Sequence, residues 1–129
     1  MKNIILLLMI FIVTACQVNK NEVAGLYTVK NQLNTIDTLK ILAGGEYVRI
    51  LRVKSKRIVF KNTDKWNFAD GRITLRNYLL DNDDTYSSGV VLDDVTITSS
   101  LPMETRFGKI IIYYRQDEEN QDNHYYEKQ

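Results

Sequence analysis

Apolar positions in this chain fall in short clusters that alternate with polar ones, bounded by Gly, Asn, Asp or Ser and rich in Val, Ile, Tyr and Thr. That is the pattern of half-buried strands, and beyond the leader no segment keeps a helical period over roughly ten residues. The sharpest local signal surrounds Asp70-Gly71, a pair able to supply both positive-φ residues of a type I′ turn. Such a turn sets Ala69 opposite Arg72, Phe68 opposite Ile73 and Trp66 opposite Leu75. Turn chemistry and alternation then agree in placing four apolar side chains on one face. Residues 36–53 predict a second hairpin, turning at Gly44-Gly45. With those two glycines as the loop, Ile41 opposes Val48, Leu39 opposes Ile50, and Lys40 lies beside Arg49. Opposed like charges are unfavourable, so either these side chains splay into solvent or the turn is longer. Leu51 and Val53 lie on the other face from Ile50, which predicts a bulge or sheet corner.

Further strands are predicted at 25–30, 57–61, 77–80 as a continuation, 90–98, 109–115 and 124–128, and Pro102 predicts a connection rather than a central strand. Many short antiparallel strands with no helix to cover a face predict an all-β fold. An up-and-down antiparallel meander of about eight strands hides its edges most simply by closing into a barrel.

The leader stands apart. Lys2 is followed by an apolar run over 4–13 and then by Val13-Thr14-Ala15-Cys16. The run is shorter than the about 20 residues of a membrane span, and small residues before a cysteine suit a lipoprotein signal peptidase. The expected organisation is a signal peptide over 1–15, a tether over 16–23 lipidated at Cys16, and a β domain over 24–129. Cys16 is the sole cysteine, so no disulfide can form within the chain and stability must come from packing. Gln17 rather than Asp follows it, which favours the outer membrane of a bacterial cell envelope. Lys and Arg number 17 against 16 Asp and Glu, with Lys2 in the leader. The balance removes any long-range steering toward nucleic acid.

Several segments resemble the small bacterial lipocalin-like lipoproteins. They are Gly25-Leu26-Tyr27, Asp37-Thr38-Leu39-Lys40-Ile41 leading into Gly45-Glu46-Tyr47, and Lys65-Trp66-Asn67-Phe68 turning into Arg72-Ile73-Thr74-Leu75-Arg76-Asn77-Tyr78. The resemblance covers residues 24–80 or so, with Gly-x-Tyr standing where lipocalins carry Gly-x-Trp. It implies a lipocalin-like barrel on a lipid tether, and with it a small apolar ligand held inside; no ligand residues carry over.

Catalytic chemistry is thin. The one histidine, His124, sits in a polar stretch, and the sequence holds no nucleophile elbow, P-loop, dinucleotide fingerprint or His-Glu-x-x-His. An enzyme is not expected, nor a cofactor. Asp81-Asn82-Asp83-Asp84-Thr85-Tyr86 lacks the later ligands of an EF-hand and reads as a turn, and 117–123 reads as a hairpin loop. No metal site is expected. Arg49, Arg52, Lys54, Lys56, Arg57, Lys61 and Lys65 crowd one stretch with Asp64 as its sole acid. Either they blunt sheet edges or they form a patch for anionic lipid or an acidic partner. Tyr113-Tyr114 and Tyr125-Tyr126 each place one ring inward and one outward on a strand. Arg49, Arg52, Lys54, Tyr113 and Tyr125 are therefore the candidate binding residues.

Two functions survive. One is a membrane-tethered envelope lipoprotein whose barrel binds a small apolar ligand in a cavity of about 300 Å³ or more. The other is a lipoprotein with a filled barrel that docks, inhibits or gives immunity against another protein.

Overall fold

The computed structural model describes residues 17–29, 35–54, 58–79, 96–114 and 125–129. The leader with Cys16, the acidic stretches 81–86 and 117–123, His124, Lys56 and Arg57 lie outside these residues. Eight strands follow one another: β1 (Gly25–Val29), β2 (Thr35–Ile41), β3 (Glu46–Val53), β4 (Ile58–Ala69), β5 (Arg72–Leu79), β6 (Thr96–Arg106), β7 (Lys109–Tyr113) and β8 (Tyr125–Lys128). Each pairs antiparallel with its chain neighbour, and β8 returns to β1 through Tyr27–Lys128, Thr28–Glu127 and Val29–Tyr126. The result is the closed all-β meander that the alternating pattern predicts.

One rim carries the tight turns. At the β4–β5 turn Asp70 (φ 54°) and Gly71 (φ 71°) take positive φ, and Trp66–Leu75, Phe68–Ile73 and Ala69–Arg72 pair as expected. Ile73 and Leu75 are fully buried, with the half-buried Trp66 and Phe68 rings packed against the same core. A second turn of this kind joins β6 to β7 through Phe107 (φ 50°) and Gly108 (φ 75°). A phenylalanine there costs about 1 to 2 kcal/mol, since Cβ crowds the carbonyl in left-handed backbone. Phe107→Asn, which tolerates that conformation, is expected to stabilise the fold by up to about 1 kcal/mol, read from urea unfolding; a destabilised variant would show that the ring contributes to packing.

The β2–β3 turn is longer than the two glycines. Leu42 N–H donates to Glu46 O (2.9 Å), Gly45 N–H to Leu42 O (3.2 Å), and Gly45 takes φ 93°. This is a three-residue loop with a glycine in the left-handed position. It moves the register by one, so Ile41 faces Tyr47, Leu39 faces Arg49 and Lys40 faces Val48. Lys40 and Arg49 are thereby separated. A one-residue slip turns a whole strand over: Tyr47, Arg49, Leu51 and Val53 point into the barrel, and β3 runs to Val53 with neither bulge nor corner.

Three further expectations are corrected. Strand β4 is continuous over twelve residues, because Asn62 and Asp64 occupy interior-side positions where apolar residues would have revealed the alternation. Strand β6 starts at Thr96 and continues through Pro102. Met103 N–H donates to Gly71 O on the β5 side (2.9 Å), so the N–H that Pro102 lacks would point toward β7, whose pairing begins at Met103. Within the stretch expected as a tether, residues 17–23 are described and pack onto the barrel. Residues Lys20–Val23 form one helical turn, α1, closed by Glu22 N–H on Asn19 O (2.9 Å). Val18 and Val23 are buried in the main core, and Tyr27 OH donates to Val23 O (2.6 Å). Helix α1 thus lies against the rim that carries the tight turns, hereafter the lower rim. At the upper rim the strands end at Val29, Thr35, Val53, Ile58, Leu79, Thr96, Tyr113 and Tyr125.

Candidate functional site

The barrel interior is layered. Toward the lower rim it is filled by Tyr27, Leu39, Ile41, Tyr47, Ile73, Leu75, Met103 and Ile112. Toward the upper rim lies a smaller apolar cluster, Leu51, Val53 and Leu79, with Phe60 half-buried against it. Between the two sits a buried polar layer.

Asp37 on β2 and Arg49 on β3 make its charged centre, at 4% and 2% exposure. Arg49 Nε and Nη2 donate to the Asp37 carboxylate at 3.1 and 2.8 Å, a fork that matches two carboxylate oxygens. Tyr126 OH donates to Asp37 Oδ2 (2.7 Å), Tyr78 OH lies 2.9 Å from Tyr126 OH, and the guanidinium stacks 4.4 Å over the Tyr78 ring. Burial works against the Arg49 charge, but Tyr126, Tyr78 and Asp37 more than offset it and hold the guanidinium more firmly protonated than usual.

The wall beside this layer explains why an arginine is buried there. Strands β4 and β5 pair only along Trp66–Ala69 and Arg72–Leu75 among the described residues. Above Leu75 the β5 register breaks against β6, with Asn77 at φ 50°, and the β4 ladder does not resume. Carbonyls on that stretch of β5 would otherwise be orphaned. Side chains from β3 and β4 take them instead. Tyr47 OH donates to Arg76 O (2.5 Å), Asn62 Nδ2 to Asn77 O, and Arg49 Nη1 to Leu79 O (2.7 Å). Lys65 N–H donates to Asp64 Oδ1 (2.7 Å) and Asn77 Nδ2 donates back to Asp64 Oδ2 (2.5 Å), and these bonds, that from Lys65 first, hold the Asp64 carboxyl below its usual range. The barrel is therefore stitched along one seam by side chains rather than by a backbone ladder.

Burial also governs the interior tyrosines. The Tyr47 phenol is pushed up to about 12, chiefly by burial, with Asp64 adding and Arg49 opposing. Burial likewise raises Tyr27, Tyr78 and Tyr126. A phenol raised in the fold contributes stability that is complete below its unfolded value of about 10 and is lost as pH climbs through the folded value. Alkaline unfolding is thus expected to begin above about pH 10, with phenolate absorbance of the buried rings appearing together with loss of the β-sheet circular dichroism signal. Full phenolate titration ahead of unfolding would contradict the layered interior.

The candidate binding residues from the sequence do not form one patch. Arg49 faces the interior and not the outer surface of a basic stretch. Arg52 lies on the outer wall in a row between Ile36 and Val59, both more than half exposed, and Lys54 follows β3 at the upper rim. Tyr113 and Tyr125 do meet, as a cross-strand pair on the outer face of β7 and β8 with ring centroids 6.2 Å apart. Burial and a hydrogen bond to Glu104 raise the Tyr113 phenol. Their neighbours Tyr114 and Tyr126 turn inward, 5.3 Å apart. Asp37, Tyr78, Asn62 and Asn77 were not singled out from the sequence. The one signal pointing to them was the Lys40–Arg49 clash, which is relieved when Arg49 points inward.

Among the described residues there is no group of three or more His, Cys, Asp or Glu side chains that could hold a metal ion, and no helix long and apolar enough to cross a membrane. Comparisons with family models, curated proteins and solved structures find no match. The eight-stranded antiparallel barrel is compatible with a lipocalin-like fold on its topology alone.

Proposed function

We propose that this chain is a lipid-anchored envelope lipoprotein, tethered through Cys16 to a bacterial outer membrane, whose barrel binds a small, mainly apolar ligand in its upper half. One observation carries the reading. The polar layer of Asp37, Arg49, Tyr78 and Tyr126 divides the interior, so that Leu51, Val53, Leu79 and Phe60 form an apolar cluster of their own in the upper half, separate from the larger core below and beside the stitched seam. Apolar walls with a few fixed polar groups at one end are the usual construction of a small-molecule site. The seam supports a route of entry, because there β5 is held by side chains of β3 and β4 and not by a continuous backbone ladder.

Native mass spectrometry of protein gently extracted in detergent tests this. A co-purifying small mass is expected, and Leu51→Trp, which crowds that upper cluster, is expected to remove it while the β-sheet spectrum persists. A stoichiometric second polypeptide with no small mass would overturn the carrier reading in favour of docking through the outer walls, where the Ile36–Arg52–Val59 row and the Tyr113–Tyr125 pair lie.

A further inference from the structure

We infer that the lower rim is a bilayer-facing surface and that Phe107, at the β6–β7 tip, enters the lipid interface. The inference rests on the reading of Cys16 as the anchor, and deepens it by orienting the barrel. Phe107 is 94% exposed, in a backbone conformation that aromatic residues rarely adopt. Within the fold the ring meets the Arg106 guanidinium, 5.6 Å from its centroid, a weak contact at an exposed site, whereas aromatic side chains at the boundary of water and hydrocarbon are stabilised by it.

Position supplies the occupant. Gly108, next to the ring, borders the same lower-rim groove of about 630 Å³ as Gln17, the residue that follows Cys16. Val18 is already buried in the core, so the anchor is joined to the folded body by two Cα steps of about 3.8 Å each. A leash of that length holds the rim within the roughly 5 to 10 Å of the headgroup boundary in which interfacial side chains lie. Leu42, 43% exposed on the β2–β3 turn, adds a second apolar contact at the same rim.

Charge makes no comparable offer. Near the tip four basic side chains, Lys20, Arg106, Lys109 and Lys128, stand among three acidic ones, Glu22, Glu104 and Glu127, which leaves a single net positive charge, and Lys109 Nζ lies 2.8 Å from Glu127. Arg52 and Lys54 stand toward the upper rim, away from the leash. The contact is therefore apolar, and salt should leave it unchanged.

The test uses the full chain, expressed with its leader, purified in detergent and reconstituted into phosphatidylethanolamine–phosphatidylglycerol vesicles. An environment-sensitive dye is attached to Arg106→Cys or, as the upper-rim control, to Lys54→Cys, while acylation blocks the Cys16 thiol. The dye at 106 is expected to emit to the blue and to be quenched by spin-labelled lipid, at low and high salt alike. It should revert to water-like emission when Phe107→Ser is added, and the dye at 54 should emit as in water throughout. Water-like emission at 106 in protein that floats with vesicles and carries acyl chains by intact mass overturns the bilayer contact and leaves the anchor standing. A Cys16 without acyl chains by intact mass overturns the anchor instead; vesicles added to that protein then decide the contact by the same shift, its absence refuting it. A blue shift that arises without vesicles and grows with protein concentration assigns the tip to a second copy of the chain, and also overturns it.

Discussion

Arg49→Ala is expected to be the most damaging single substitution inside the barrel. It leaves the Asp37 carboxylate buried without its fork of donors and the Leu79 carbonyl without Nη1. Breaking a buried ion pair from one side costs about 3 to 5 kcal/mol, and the carbonyl adds about 1 to 3 kcal/mol more. A domain of this size has about 5 to 15 kcal/mol to lose, so the variant should unfold at a far lower urea concentration or fail to accumulate. Arg49→Lys keeps the charge but cannot span a carboxylate and a carbonyl on opposite sides, and should fall between the two. Asp37→Leu with Arg49→Met removes both charges together, and should be less damaging than the single losses added up by about 2 kcal/mol or more. A loss below about 1 kcal/mol for Arg49→Ala, in the range of exposed ion pairs, would mean that water reaches the pair and that the interior is not sealed at this level.

The second large effect concerns location rather than stability. With Cys16→Ala the chain is expected to keep its leader and to incorporate no labelled fatty acid, because both processing and acylation act at that thiol. The folded body should be unchanged, since the substitution leaves Val18 and the barrel core as they are. On the proposed lipoprotein reading, acyl chains at Cys16 would contribute about 0.8 kcal/mol for each buried methylene, so detergent-free lysis is expected to leave the unsubstituted protein with the membrane. Its release without detergent would remove the anchor from the argument. The docking of Val18 sharpens the expectation. A peptidase cutting before residue 16 would meet the folded rim two residues later, so processing should be faster on nascent chains than on chains already folded, and inserting Gly-Ser between Gln17 and Val18 should narrow the difference.

Where two local codes coincided, the sequence could be read to single-residue register. Around Asp70-Gly71 the turn type and the apolar alternation specify the same pairs, and those pairs form. Around Gly44-Gly45 the codes diverge. Two glycines suggest a two-residue loop, but only Gly45 takes a positive φ, within a three-residue loop, and the slip inverts β3. Without it the Arg49 charge is wrongly assigned to solvent, as burial statistics for arginine also suggest. Its partners could not be read locally: Asp37 lies twelve residues away, Tyr78 twenty-nine and Tyr126 seventy-seven. Asn62 and Asp64 hid the continuity of β4 for a related reason, since their polarity serves a seam visible only when β5 is set beside them. Pro102 was misread because its tolerance depends on where the β7 ladder begins.

Closure of the ring through β1 and β8 has a temporal meaning. Thr28 pairs with Glu127, so nearly the whole polypeptide must be present before the first strand finds its second neighbour and before Tyr126 reaches Asp37. Contacts of such sequence separation form slowly and late. The seven pairings between chain neighbours can form as each strand appears, so only the closing β1–β8 ladder and the Tyr126–Asp37 bond wait for the last strand.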